Sequence, residues 1–205
     1  MSPPARRAIL ILAVGFVLLA AVLGTLWVTR PAQMGRLVEQ AGPQIGGDFA
    51  LVDHDGRRVT QASYPGRHLL VFFGFTNCPD VCPLALGEVS VALDALGPAA
   101  AAKLQPLFVS VDPERDTPSV LKDYVSAFDP RITGLTGTPE EIAAAARAYR
   151  VYYKKVPVEG ALGYTMDHSA FVYLMGPDGR LEAFFTHETK GDQMAKKIQG
   201  FLGAS

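Results

Sequence analysis

The chain holds two cysteines, Cys78 and Cys82, and they bracket the segment Cys78-Pro-Asp-Val-Cys82. A disulfide closing so short a loop is a poor staple, because chain-entropy stabilisation grows with loop length. The pair is therefore expected to serve chemistry, either thiol redox exchange or ligation of a soft metal. A spacing of four is one helical turn, so both sulfurs face the same way if the segment opens a helix. Helical Cα atoms at i and i+4 lie roughly 6 Å apart, near the upper end of the disulfide range. Oxidation of the pair thus needs Cys78 in the loop before the helix. Amides at a helix N-terminus would favour thiolate over thiol. Cys82 alone also fits an apolar stripe, as a buried and inert thiol would.

The elements around the pair are legible from periodicity. His68 to Phe75 is a nearly continuous apolar run, as expected of a buried central strand. A helix is expected from about Asp80 to Leu96, with Cys82, Leu86, Val89, Leu93 and Leu96 on its inner stripe. Leu107 to Val111 reads as a second buried strand, giving a β-α-β unit with parallel strands. Ahead of this unit, Phe49 to Thr60 reads as a hairpin turning at Asp53 to Gly56. Beyond it, Thr117-Pro118 opens a helix with Leu121, Tyr124, Val125 and Phe128 inside. Thr138-Pro-Glu-Glu141 is a capping-box start for another helix, reaching about Tyr149. Val151 to Asp167 is expected to be irregular. Ala170 to Met175 and Arg180 to Phe185 form a second hairpin, and a last helix places Met194, Ile198, Phe201 and Leu202 on one side.

That order predicts an α/β, thioredoxin-like fold: a central mixed sheet flanked by helices, with an extra N-terminal hairpin and an inserted helical segment. In such a fold the loop before the last hairpin faces the cysteines. Here that loop is Met166-Asp167-His168-Ser169. A redox thioredoxin carries proline there and a C-x-x-C pair. This chain has His168 and a longer spacing, and its single tryptophan, Trp27, lies far from the pair. Two thiolates and one imidazole suit copper(I) and can also hold copper(II). Structural zinc asks for four protein ligands. Asp80 is expected to cap the helix rather than assist metal transfer, Asp167 to orient His168 or be solvated, and Met166 to be a packed or exposed thioether rather than an auxiliary ligand. Asp112 to Asp116 reads as a turn ahead of the Thr117 cap. His54, His68 and His187 are read as structural or solvent-exposed.

Ala8 to Val28 is a run of 21 uncharged, mostly apolar residues, long enough as a helix for the roughly 30 Å hydrocarbon core of a bilayer. Arg6 and Arg7 before it keep the N-terminus cytoplasmic. The run is long for a signal-peptide core and ends in Leu26-Trp-Val-Thr-Arg30 rather than small residues, so an uncleaved anchor is expected, with a cleaved signal peptide as the alternative. Residues 1–30 are then the cytoplasmic N-terminus and transmembrane anchor, 31–46 a linker, and 47–205 the globular domain, on the extracytoplasmic or periplasmic side of the inner membrane. Three of the 19 basic residues precede residue 31, so the remainder carries 16 basic and 20 acidic side chains, a net of −4. That excludes the basic face of a nucleic-acid binder.

The stretches Phe75-Thr-Asn-Cys-Pro-Asp-Val-Cys-Pro83, Val109-Ser-Val-Asp-Pro-Glu-Arg-Asp-Thr117, Asp167-His168-Ser169 and Tyr173-Leu-Met-Gly-Pro-Asp-Gly179 resemble the Sco/SenC family. These are membrane-tethered copper proteins that help assemble the dinuclear copper site of cytochrome c oxidase. The resemblance spans the domain from about residue 45 onward, and its motifs are specific in combination and order. It implies Cys78, Cys82 and His168 as copper ligands, the copper-bearing oxidase subunit as recipient, and a copper donor protein upstream. On that implication the chain is a metallochaperone rather than a turnover enzyme. The alternative is a thiol-disulfide oxidoreductase or thiol peroxidase, with Cys78 as nucleophile and Cys82 as resolving thiol.

Overall fold

Seven consecutive buried residues, His68–Gly74, form β3 at the middle of the sheet. A strand without an exposed face must be covered on both sides, and the surrounding elements do this. The computed structural model describes residues 44–160 and 163–203, with the isolated positions 18, 19 and 24. The expected anchor Ala8 to Val28, apart from those three positions, and nearly all of the 31–46 linker lie outside the described residues.

The hairpin β1 (Ala50–Asp53) and β2 (Arg58–Thr60) comes first. The long helix α1 (Val81–Ala101) follows β3 and leads to β4 (Leu104–Ser110). Next come α2 (Pro118–Ser126), β5 (Thr133–Thr136) and α3 (Pro139–Ala148). The hairpin β6 (Tyr153–Pro157) and β7 (Tyr164–His168) precedes β8 (Phe171–Met175), β9 (Leu181–Thr186) and the final helix α4 (Gly191–Leu202). The main sheet runs β2-β1-β5-β4-β3-β8-β9, while β6 and β7 pair only with each other. β3 is parallel to β4 and antiparallel to β8. A β-α-β unit followed by an antiparallel hairpin and a helix is the thioredoxin-like arrangement expected, with β1–β2 added ahead of it.

Alternate residues of β3 face opposite layers. Phe72 lies against Phe108 on the face that carries α1 and α2, and Phe73 meets Tyr149 at the end of α3 on the other. The apolar composition of α1, long enough to suggest a membrane span, is explained by burial of Cys82, Ala85, Leu86, Val89, Ala92 and Leu93. Gly97, at φ 74°, and Pro98 break its last turns. Leu96, expected on the buried stripe, is only partly covered. α4 runs against α1 and comes close at Gly191, where a Cβ would stand 2.5 Å from the Glu88 carbonyl oxygen.

Two expectations are corrected. β5 was not anticipated, because Thr-Gly-Leu-Thr has a single large apolar residue; it forms because β4 and β1 hydrogen-bond to its two sides. Val151 to Asp167 is not irregular: it contains the β6–β7 hairpin, in which Tyr153 pairs with His168 and Lys155 with Met166. Met166 is the one buried residue of its two strands, so the alternation by which a half-buried strand is recognised is missing.

Candidate metal centre

β3 ends at Gly74, and the chain leaves it through Phe75-Thr-Asn-Cys78 before α1 begins at Val81. Asp80 occupies the N-cap position, yet its side chain makes no capping bond. The sulfur of Cys78 does so instead, accepting the Cys82 N–H at 3.4 Å. The expected Asp80 cap is thus replaced by a thiol, because Cys78 turns back over the open helix end while Asp80 faces solvent.

Cys82 is fully buried and Cys78 partly so, and both are free thiols. His168 is the last residue of β7 rather than part of a loop, since pairing with Tyr153 extends the strand to it. Its ring packs edge-on against Phe75 and Phe72. The side chains of Cys78, Cys82 and His168 converge, with their donor atoms all within 4.8 Å of one another. His168 Nε2 lies 3.5 Å from Cys82 Sγ. Nδ1 lies 3.0 Å from the Ser169 carbonyl oxygen, which can only accept. Nδ1 therefore carries a proton, and Nε2 is turned to the sulfurs. Asp167, a candidate for orienting His168, is exposed, and the Ser169 carbonyl does that work.

The two thiols are unlike. A hydrogen bond from the Cys82 thiol, together with donors from His168 and the Asp80 and Cys82 amides, holds Cys78 far below the ordinary thiol range against the opposing effect of burial. Cys82 is pushed strongly upward, first by donating to Cys78 and then by burial. One proton is thus shared unequally across the pair.

Metal–sulfur bonds near 2.3 Å and metal–nitrogen bonds near 2.0 Å, as for zinc, put two ligands of one ion at most about 4.6 Å apart. The spread of the three donors, within 4.8 Å, is comparable with that span. Among the described residues no fourth Cys, His, Asp or Glu joins the group. His54 accepts the Gly134 N–H, His68 is buried beside Glu182, and Met166 is packed in the core.

Reasoning from sequence missed what stands beneath the site. Asp112 and Asp116, read as parts of a turn, are buried. Asp116 accepts the Thr76 N–H at 3.1 Å, the Thr76 hydroxyl at 2.6 Å and the Ser110 hydroxyl. Burial raises its carboxyl, and the Ser110 and Thr76 bonds oppose that rise. The turn-and-cap role also holds, with Thr117 accepting the Val120 N–H.

A thioredoxin-like fold with a dithiol at the head of its central helix and a histidine opposite defines a class of thiol and metal proteins. The chain belongs to the SCO1/SenC family, whose model matches residues 38–203. It is 43% identical over 157 residues to the human protein SCO1 homolog, mitochondrial, covering 76% of this chain and 52% of that protein. It is 45% identical over 161 residues to the Arabidopsis thaliana protein SCO1 homolog 1, mitochondrial, covering 77% of this chain and 48% of the relative. It thus spans about half the length of these relatives. Among solved structures, Bradyrhizobium japonicum ScoI with copper bound matches at 48% identity and TM-score 0.71, over 77% of this chain and 99% of that one. Yeast Sco1 with copper bound matches at 39% identity and TM-score 0.72, over 80% and 91%.

Proposed function

We propose that this chain is a copper metallochaperone that holds one copper through Cys78, Cys82 and His168 and passes it on during assembly of the dinuclear copper site of cytochrome c oxidase. The observation that carries the reading is the convergence of three soft or borderline donors within 4.8 Å, two from the head of α1 and one from the end of β7. Thiolate and imidazole donors select copper over hard cations. Three ligands leave the metal open to a recipient cysteine, so transfer proceeds by ligand exchange. The copper-bound relatives and the family membership support the metal and the recipient.

In this reading residues 1–30 anchor the chain in the cytoplasmic membrane, 31–46 tether it, and 47–205 work on the extracytoplasmic side. The oxidase subunit that bears the copper site is the recipient, and a separate copper protein is the donor. The test is copper(I) stoichiometry and competition affinity for the full chain in detergent, beside His168→Ala. One tightly held copper, weakened at least tenfold by the substitution, is expected. No binding, or binding indifferent to His168, would sink the proposal.

The asymmetry of the thiols favours a second reading, reduction of a partner disulfide. Cys78 as thiolate attacks one sulfur of that disulfide and releases the first partner thiol, Cys82 then attacks the Cys78 sulfur of the mixed disulfide and releases the second, and the products are a Cys78–Cys82 disulfide and two partner thiols. Turnover with a disulfide substrate, unchanged in His168→Ala, would place this reading first.

A further inference from the structure

The β6–β7 hairpin carries His168 but shares no ladder with the main sheet. An isolated two-stranded hairpin is marginal in water, so something other than sheet hydrogen bonds must set His168 over the cysteines. Packing of His168 on Phe72 and Phe75 and the burial of Met166 attach its far end. The near end is attached elsewhere. Tyr164, four residues before His168 and therefore on the same face of β7, donates its hydroxyl to Asp112 Oδ1 at 2.8 Å. Arg115 donates to the Tyr164 carbonyl oxygen at 3.1 Å and stacks 3.7 Å above the Tyr164 ring, with Lys155 at 3.9 Å from the ring centre. Asp112 and Arg115 are themselves paired.

The same segment holds the other half of the site. Asp116 bonds both the amide and the hydroxyl of Thr76, two residues before Cys78. The Ser110 hydroxyl donates to Asp116 while accepting the Asp112 N–H at 3.0 Å. The Asp116 N–H returns to the Asp112 carbonyl at 3.0 Å. The Val111 N–H reaches the Gly74 carbonyl at 2.8 Å.

We propose that residues 110–117 form a strap that registers His168 against the cysteine pair: Asp116 holds the Cys78 loop through Thr76, while Asp112 and Arg115 hold β7 through Tyr164. Asp112, Arg115, Asp116 and Tyr164 are positioning residues for the metal site, and none of them is among its three donors. The inference rests on the copper reading for its affinity readout, but not for its readout in the metal-free chain. Two buried carboxylates in one short loop have a physical purpose under this scheme. Each is satisfied by a different half of the site, so neither half can shift without breaking part-buried hydrogen bonds.

The test uses the full chain with Tyr164→Phe, which removes one hydroxyl and keeps the ring, and Asp112→Asn, which keeps the shape of the side chain. Outer residues that orient a metal ligand contribute about 10–100-fold in affinity. Copper(I) affinity is therefore expected to fall about tenfold or more in both variants. In a His168→Ala background the same changes should cost under about twofold, because they act through that histidine. In the metal-free chain the His168 imidazole NMR signals should shift or broaden in Tyr164→Phe. An equal loss of affinity in both backgrounds, or an unmoved His168 signal, overturns the strap. If the chain binds no copper, the copper reading falls, and the His168 signal alone decides the strap, supporting it if moved and overturning it if not.

Discussion

Gly74 closes β3 directly beneath the site, and Gly74→Ala sets two opposed effects against each other. Its φ is not in the left-handed region, so the backbone accepts alanine. Replacing a strand glycine would then stabilise by about 0.4–1 kcal/mol through the unfolded chain. The added Cβ, however, would stand 2.7 Å from Cys82 Sγ and 2.7 Å from Phe108 Cε2. Ordinary contacts between such atoms lie near 3.5–4.0 Å, so each approach is about 1 Å too close. Neither neighbour has room to retreat, since Cys82 and Phe108 are both 0% exposed. Overpacking of this kind costs about 1–3 kcal/mol, which exceeds the entropic gain. The expected net loss of about 1–2 kcal/mol lowers the melting temperature by about 2–8 °C. Thermal unfolding of the full chain followed by far-UV circular dichroism measures it. Copper(I) affinity should fall as well, because relief of the clash moves the Cys82 sulfur. A Gly74→Ala chain as stable as its parent, with unchanged affinity, would refute the packing argument.

Cys78 should alkylate with iodoacetamide even at about pH 6, where an ordinary thiol of pKa near 8.5 is slow, while buried Cys82 stays unmodified until unfolding. Peptide mapping decides, and equal labelling of the two would count against the asymmetry. Asp129 is held below the usual carboxylate range, first by its Arg131 hydrogen bonds and against burial. A lowered folded value means that its contribution is full above the unfolded pKa of about 3.9 and fades as pH falls through the folded value. Asp129→Asn should thus cost about 1.5–3 kcal/mol at neutral pH and progressively less on acidification below pH ~4. Urea midpoints at several pH values check this, and a pH-independent cost would contradict it. Thr138 accepts the Glu141 N–H while Glu141 accepts the Thr138 N–H at 2.9 Å, so Thr138→Ala should destabilise by about 1 kcal/mol. A midpoint unchanged within error would mean that water replaces the cap.

The sites legible in sequence are those whose determinants are local. The turn at Asp53 to Gly56 needs one glycine at φ 82° and an aspartate that accepts the Asp55 and Arg57 N–H groups. The capping box at Thr138 is complete within four residues. The buried run of β3 and the α1 stripe repeat at their own periods. Cys78 and Cys82 were conspicuous by spacing alone, and His168 by its place ahead of β8.

Tertiary structure decided whatever depends on partners far along the chain. β5 exists because two neighbours hydrogen-bond to it, and β6–β7 because its strands bond to each other. Asp112 and Asp116 look like turn residues until the fold buries them and brings Thr76 and Tyr164 within reach, 40 and 52 residues away. Short-range propensity specifies which elements form, whereas the direction of a buried carboxylate or thiol is set by the packed arrangement that supplies its hydrogen-bond partners. That arrangement, which brings His168 Nε2 to 3.5 Å from Cys82 Sγ, is a property of the packed molecule.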